Sequence, residues 1–226
     1  MKIGVLLSGN GVYDGAEIQE AVLTLLAIDE MGWEAHCISI DRPQHHVVNH
    51  ITGEAMPESR NMLIEAARIA RGKITPITEV EPADLDALVI PGGFGSAKNF
   101  TSWAFDGPAS SILPEVKLLL VNLVNVGKPI IALCVSPVVL AKAFEGSNIN
   151  PTLSLGTASE PSPYDISSFN AGLEATGTKV TERSIREILV DEQNRIICAP
   201  CYMMDARISE VRSNISQALH ALKQLP

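Results

Sequence analysis

The sequence predicts an α/β fold in which a mostly parallel sheet is covered by helices on both faces. Two observations lead to this prediction. Short runs of β-branched and aliphatic residues alternate along the chain with segments whose apolar residues recur at helical spacing, a pattern typical of buried parallel strands. Several of the apolar runs also end at a glycine-rich loop or a sharp turn before the next helical segment begins.

The first half of the chain contains three predicted strands and three predicted helices. The strands are expected at 2–8, 34–40 and 86–91, and the helices at about 16–31, 57–72 and 114–127. In the first helix, Ile18, Val22, Leu25 and Leu26 form the apolar stripe that we expect to face the core. The third helix has Pro114 at its start and glycine at its end, as helices prefer.

The second half continues the alternation and adds one hairpin. We expect a strand at 129–134, a loop at 145–165 with a short strand at 152–157, a helix at 166–177, a strand at 178–182, a hairpin at 186–200 and a closing helix at about 205–222. No internal repeat or linker divides the chain. A single domain over residues 1–226 is therefore expected.

Composition restricts the functional classes. The formal net charge is −9, and no cluster of Lys or Arg interrupts the acidity, which argues against a nucleic-acid or anionic-membrane partner. The opening "MKIGVLLSG" lacks a long apolar signal region, and the apolar stretch 118–144 is too interrupted to span a bilayer. These features predict a cytoplasmic protein in a reducing compartment, with its four cysteines mostly thiols.

The stretch "KPIIALCVSPVVLAKAF" places Cys134 at the carboxyl end of a buried strand, directly before a helix. A strand-to-helix elbow needs small residues two positions away on each side, and Ala132 and Ser136 are small. The following helix N-terminus, near Pro137, is expected to lower the pKa of the thiol. From this stretch alone, Cys134 is either a buried structural cysteine or a nucleophile.

Two further segments favour a site. "PGGFGSAKN" follows another buried strand, and its Gly92–Gly93 pair would let backbone amides approach a substrate oxygen. Glu17 stands at the start of the first long helix, beyond the carboxyl end of a third strand. Ligands bind at the carboxyl ends of strands in open α/β sheets, so the thiol, the glycine loop and the carboxyl together indicate one site.

The chain resembles the ElbB family, the "enhancing lycopene biosynthesis" or isoprenoid-biosynthesis proteins with an amidotransferase-like domain, within the ThiJ/PfpI superfamily. The similarity is carried by "SGNGVYDGAEIQEAVLTLLAID", "VNHITGEAMPESRNMLIEAARIARG", "DLDALVIPGGFGSAKN", "GKPIIALCVSP" and "APCYMM". The second segment is the most diagnostic, because the wider superfamily lacks this insertion. The resemblance implies a flavodoxin-like three-layer sandwich of the class I glutamine amidotransferase-like type, often a homodimer.

The resemblance also implies an activity. It points to a glutathione-independent glyoxalase, a lyase that converts glyoxal to glycolate with no metal or organic cofactor. The nucleophile of the superfamily corresponds to Cys134 and its helix-start general acid/base to Glu17, which we expect to share a hydrogen bond. The backbone donors correspond to Gly92, Gly93 and Val135. Lys98, Asn99 and Cys201 are expected to line a pocket for a small aldehyde or dicarbonyl.

Several residues depart from the superfamily pattern. Many members have histidine directly after the nucleophile, where this chain has Val135, and glutaminase relatives have one on the exit loop of the last strand, where this chain has "APCYMM". A Cys-His-Glu glutaminase triad is therefore not expected. The "CAPC" motif at 198–201 has redox spacing, so a Cys134–Cys201 disulfide stays open as an alternative.

A second class of function also remains open. Cys134 could serve as an oxidation sensor, or the chain could be a non-catalytic accessory protein of a stress or isoprenoid pathway, since the missing histidine weakens catalysis but not thiol oxidation. His45, His46, His50 and Arg60 fall in or beside the family insertion and are either solvated residues or part of a site.

Overall fold

A seven-stranded sheet forms the centre of the computed structural model, which describes residues 1–225. The strands of this sheet are β1 (Lys2–Leu6), β2 (Glu34–Ser39), β3 (Thr75–Pro76), β4 (Ala87–Ile90), β5 (Ile130–Leu133), β8 (Leu189–Asp191) and β9 (Ile196–Ala199). A separate two-stranded parallel sheet pairs β6 (Thr152–Leu153) with β7 (Lys179–Val180). The predicted α/β fold is confirmed.

The order of the main sheet is β3-β2-β1-β4-β5-β9-β8, and every pair is parallel except the hairpin β8–β9. In the centre, Val5 of β1 lies beside Val89 of β4, and Leu133 of β5 lies beside Ala199 of β9. All residues of β4, β5 and β9 are buried, as expected of parallel strands covered on both faces. The carboxyl ends of β1, β4, β5 and β9 therefore meet at one edge.

Helices cover this sheet. They are α1 (Ile18–Glu30), α2 (Met62–Ile69), α3 (Trp103–Asp106), α4 (Pro114–Asn125), α5 (Pro137–Phe144), α6 (Ile166–Ala175) and α7 (Ile208–Leu222). Helix α1 packs against α7, and α4 packs against α5. No helix within residues 1–225 combines the length and the apolar character that crossing a bilayer requires.

Helix α1 buries a different face from the one that its large apolar residues predict. Ile18, Val22 and Leu26 are 45%, 49% and 41% exposed. The buried residues are Glu20, Ala21, Thr24, Ala27 and Ile28. Small side chains among them let α1 approach α7 and the sheet closely, so the predicted apolar stripe is wrong for three of its four residues, and only Leu25 packs against the core. As a consequence, Glu20 is carried into the interior.

The remaining differences concern short elements. The predicted strand at 178–182 is only Lys179–Val180 and belongs to the small sheet, outside the main one. The two-residue strand β3 pairs with β2 at the edge, and its Thr-Pro sequence gives no strand pattern. The glycine loop after β4 runs into a π-helical turn at Ser96–Phe100, which sets the direction of the side chains that follow it.

Candidate active site

Cys134 occupies the sharp elbow between β5 and α5. Its φ is +56°, in the left-handed region that non-glycine residues rarely adopt. The surroundings fix this conformation, because the Cys134 N–H donates to the Ala199 carbonyl at 2.9 Å and the Ser136 hydroxyl donates to the Ile90 carbonyl at 2.9 Å. The chain thus stores backbone strain at the residue that carries the thiol, as functional elbows do.

Glu20 is the carboxyl that contacts this thiol. Its side chain is fully buried and lies beside the thiol of Cys134. Its two oxygens also accept backbone N–H groups, one from Gly92 at 2.8 Å and one from Tyr202 at 3.2 Å. A Cβ at position 92 would lie 2.4 Å from the Cβ of Cys134 and 2.6 Å from Oε2 of Glu20, so only glycine permits the close approach of these groups.

Burial controls the protonation of this pair. It raises the pKa of Glu20 to about 8, with the nearby Glu17 carboxylate adding to the effect. It also raises the pKa of the Cys134 thiol well above its ordinary value, and the charge of Glu20 raises it further. The expected lowering of the thiol pKa by the helix N-terminus is therefore wrong, because desolvation outweighs the backbone donors. The pair holds at most one negative charge, and Glu20 is the group placed to accept the thiol proton.

The predicted hydrogen bond between Cys134 and Glu17 is wrong. Glu17 is the N-cap of α1, and its carboxylate accepts the N–H of Glu20 at 2.6 Å. One helical turn separates the two acids, and the turn that begins at Glu17 brings Glu20 to the sulfur. Glu17 still lines the cavity beside Cys134, and burial raises its pKa against the opposing effect of its backbone hydrogen bonds.

Two backbone amides point at the sulfur. The N–H groups of Gly93 and Val135 donate toward Cys134 and stabilise a negative charge there. These are two of the three donors that the sequence suggests. The third assignment, Gly92, is wrong because its N–H is already bonded to Glu20.

A small cavity of about 20 Å³ opens beside the thiol, which is 5% exposed. Its walls are Val12, Glu17, Gly93, Phe94, Cys134, Val135, Tyr164, Phe169, Tyr202 and Met203. A neighbouring, wider cavity of about 340 Å³ shares four of these walls, Val12, Glu17, Tyr164 and Tyr202. The arrangement gives a narrow, mostly apolar chamber at the sulfur with a larger cleft next to it. Among the described residues, no histidine lines either cavity.

Lys98 and Asn99 do not line the cavity at the thiol, so their assignment to the substrate pocket is wrong. The π-helical turn directs them toward the loop after β1. Lys98 donates to the Tyr13 carbonyl at 2.9 Å, and the Asn99 amide donates to the carbonyls of Ser8 and Asp14 at 2.8 Å each. Both residues therefore tie two loops together.

Cys201 lies close to Cys134 but outside the cavity wall. It is fully buried and has a φ of +45°. Its own N–H donates to the Asn214 side chain at 3.0 Å. All four cysteines are free thiols, so the "CAPC" spacing forms no disulfide in this structure. Cys201 does not line the cavity at the thiol, so its predicted place in the substrate pocket is wrong.

Comparison with known proteins places this site in a family. No family model matches the chain. It is 35% identical over 226 residues to the rat "ES1 protein homolog, mitochondrial", covering 99% of this chain and 84% of the relative. The chain belongs to the ES1 and ElbB-like family. The human "Glutamine amidotransferase-like class 1 domain-containing protein 3, mitochondrial" is likewise 35% identical over 226 residues, covering 99% of this chain and 83% of its own length.

Solved structures agree with this membership of the ES1 and ElbB-like family. An isoprenoid biosynthesis protein with an amidotransferase-like domain from Ehrlichia chaffeensis has a TM-score of 0.89 and 32% identity, covering 100% of this chain and 99% of its own. Glyoxalase III from Candida albicans has a TM-score of 0.59 and 14% identity, covering 98% of this chain and 97% of its own. At 14% identity, the similarity to glyoxalase III shows only that the two proteins share a fold. The names of the rat and human relatives state no activity.

The expected cytoplasmic location is wrong on these comparisons. The rat and human relatives at 35% identity are both named as mitochondrial proteins. The expectation rested on the opening segment and on the interrupted apolar stretch 118–144, and neither observation tests for import into mitochondria.

Proposed function

We propose that this chain is a cofactor-independent glyoxalase that converts glyoxal to glycolate with the Cys134 thiol and two glutamates. The observation that carries the proposal is the pairing of a thiol on a strained elbow with the fully buried carboxyl of Glu20, beside a cavity of about 20 Å³. A chamber of this size holds about one water molecule, so only the reacting carbonyl of a substrate fits at the sulfur, and the rest of the substrate lies in the adjoining cleft of about 340 Å³. Glyoxal, with two carbonyl groups on two carbons, is small enough to bind in this way.

The first step is addition of the thiol to one carbonyl. The sulfur forms a bond to C1 of glyoxal as its proton passes to the carboxylate of Glu20, and the oxygen of C1 takes a proton from the carboxyl of Glu17, which lines the cavity and has its pKa raised by burial, to give a hemithioacetal. Burial raises the pKa of the thiol, and the backbone N–H groups of Gly93 and Val135 oppose that effect and so favour the thiolate that attacks the carbonyl. Glu20 is suited to this proton transfer because its raised pKa of about 8 makes it a strong base when ionised.

The second step moves hydrogen between the two carbons. A base removes the proton from C1 to give an enediolate, the same proton or one from water is returned to C2, and the proton of the C1 hydroxyl passes to the oxygen of C2. This oxidises C1, reduces C2 and leaves a thioester of glycolate on Cys134. Water then cleaves the C–S bond, releasing glycolate and restoring the thiol. We assign the base to Glu17, because it lines the cavity whereas Glu20 lies behind the sulfur.

The oxidation-sensor alternative is less well supported. A sensor cysteine reacts readily with peroxide when its pKa is low and its sulfur is accessible. Cys134 is 5% exposed and burial raises its pKa, so both properties run against that role.

The homodimer implied by the family resemblance stays a prediction.

A steady-state assay with glyoxal tests the proposal. Cys134→Ala is expected to abolish glycolate formation, and Glu20→Gln and Glu17→Gln are each expected to lower kcat by about 10² to 10⁴. Cys37→Ala, a buried cysteine on β2, is the matched control and should retain activity. Unchanged turnover in Cys134→Ala would end the proposal.

Deuterated glyoxal separates the two carboxyl roles. If Glu17 removes the C1 proton, the isotope effect on kcat should increase in Glu17→Gln, because that step then limits the rate. In Glu20→Gln the addition step should limit, and the isotope effect should fall toward one. The reverse pattern would exchange the two assignments.

A further inference from the structure

The junction between the wide cleft and the thiol chamber decides which molecules reach Cys134. The chamber has a volume of about 20 Å³ and the cleft a volume of about 340 Å³. Four residues line both spaces and therefore form the neck between them: Val12, Glu17, Tyr164 and Tyr202. The proposed glyoxalase chemistry gives the two tyrosines no role, although their rings are the largest side chains at the neck.

Tyr164 forms the fixed side of the neck. Its ring packs edge-on against the ring of Phe94, with 5.9 Å between the centroids, and against the ring of Phe169, with 6.4 Å. These are favourable T-shaped pairs. The Tyr164 N–H also donates to the Ser162 hydroxyl at 2.9 Å. A movement of this ring would therefore disturb its contacts with two other rings.

Tyr202 forms the movable side. Its backbone lies in the turn Cys201–Met203 and is anchored, because its N–H donates to Oε1 of Glu20 at 3.2 Å. The ring is partly buried, and no second aromatic ring within residues 1–225 packs against it. Its hydroxyl donates to Oε1 of Gln19, an exposed residue in the first turn of α1. Rotation of the Tyr202 side chain breaks this bond and leaves the backbone in place.

We propose that the hydrogen bond between Tyr202 and Gln19 sets the width of the neck, so that Tyr202 limits the size of the molecules that reach Cys134. With the bond intact, the sulfur is 5% exposed and the chamber beside it holds about one water molecule. A bond of this kind changes an equilibrium by about two- to tenfold. The narrow neck is therefore the dominant state, and the wide neck is still populated.

As a rule for substrates, this inference rests on the proposed glyoxalase. The neck then selects dicarbonyl compounds whose second carbon carries a small group, because a bulky group stays in the cleft and holds the reacting carbonyl away from the sulfur. As a rule for access to Cys134, the inference does not depend on turnover.

Alkylation of Cys134 by two reagents of different size tests this inference. Iodoacetamide is the small reagent and N-phenylmaleimide the large one, and mass spectrometry follows the peptide that contains Cys134. Gln19→Ala and Tyr202→Phe each remove the hydrogen bond and keep the aromatic ring. Each should raise the rate with N-phenylmaleimide about 3- to 10-fold and the rate with iodoacetamide less than about 2-fold. The double variant should be no faster than the faster single variant, because both substitutions break the same bond.

Gln217→Ala is the matched control, because Gln217 is an exposed glutamine on α7 that lines neither cavity. It should react as the wild type does. Labelling of Cys37, which is buried on β2, measures the contribution of unfolding and is subtracted from each rate. The proposal fails if both single variants keep the wild-type rate with N-phenylmaleimide, if the two reagents accelerate equally, or if the effects of the two substitutions multiply in the double variant.

Turnover of glyoxal and phenylglyoxal extends the test to substrates. In Gln19→Ala and Tyr202→Phe, kcat/KM for phenylglyoxal relative to glyoxal should rise by about the same factor as the rate with N-phenylmaleimide, and an unchanged ratio would refute the rule for substrates. If the wild type turns over neither compound, the glyoxalase proposal fails, and the alkylation rates alone decide whether Tyr202 controls access to the thiol.

Discussion

Replacing Glu20 by Gln should change how the stability of the protein depends on pH. Folding raises the pKa of this carboxyl from 4.5 to about 8 because it is fully buried. Below pH 4.5 the group is protonated in both the folded and the unfolded chain, so its ionisation has no effect on stability. As the pH rises above that value, the unfolded chain loses the proton while the folded chain keeps it, and the folded state is progressively destabilised.

The size of this effect follows from proton linkage. One proton bound by the folded state and not by the unfolded state costs about 1.4 kcal/mol of stability per pH unit. Between about pH 5.5 and pH 7.5, wild type should therefore lose about 3 kcal/mol relative to Glu20→Gln, and the loss should level off above about pH 8. The glutamine has one acceptor for the two N–H groups of Gly92 and Tyr202, so the stability difference between Glu20→Gln and wild type also contains a contribution that does not depend on pH. The change of stability with pH is therefore the quantity to compare.

Urea unfolding of both proteins at the two pH values measures this difference. Glu54→Gln, a substitution of an exposed glutamate, controls for the loss of one charge and should follow the wild type. The reasoning is refuted if the free energy of unfolding of Glu20→Gln and of wild type changes equally with pH. That result would mean that the folded protein pays no penalty for ionising Glu20.

Two other substitutions test the packing of the site. Gly92→Ala places a Cβ 2.4 Å from that of Cys134, so it should separate the thiol from Glu20. We expect it to lower the free energy of unfolding in urea by about 1–3 kcal/mol and to slow alkylation of the thiol. An unchanged free energy of unfolding and unchanged alkylation would show that the packing at this position is loose. Asn214→Ala removes the acceptor of the Cys201 N–H and should cost about 1–3 kcal/mol in the same assay, and an effect near zero would indicate that another group accepts this bond.

Much of the fold follows from the sequence because its central strands are short and continuously apolar. The runs that contain β1, β4, β5 and β9 are recognisable without any tertiary information, and so is the elbow at Cys134. The two-residue strands and the π-helical turn are different. Their residues have no periodicity, and tertiary hydrogen bonds define them, so sequence patterns cannot place them.

The identity of the acid partner could not be read from the sequence in the same way. Assigning the largest apolar residues of α1 to the core places Glu20 on the solvated side. The actual core face carries small residues, among them Ala21 and Thr24, beside Ile28 and Glu20. A glutamate on such a face indicates a site only once the orientation of the helix is known. Tyr202 and Tyr164 were missed for a related reason, since they come from loops that no periodic pattern brings to the site.

The pH dependence of Cys134 alkylation tests the central claim most directly. If the thiol gives its proton to the buried carboxyl, carboxamidomethylation of Cys134 in wild type should be slow at neutral pH and rise through about pH 8, the value to which burial raises the pKa of Glu20. In Glu20→Gln this rise should be absent, with mass spectrometry used to follow the peptide that contains Cys134. Fast alkylation that is already constant at about pH 6, and that Glu20→Gln leaves unchanged, would contradict the account.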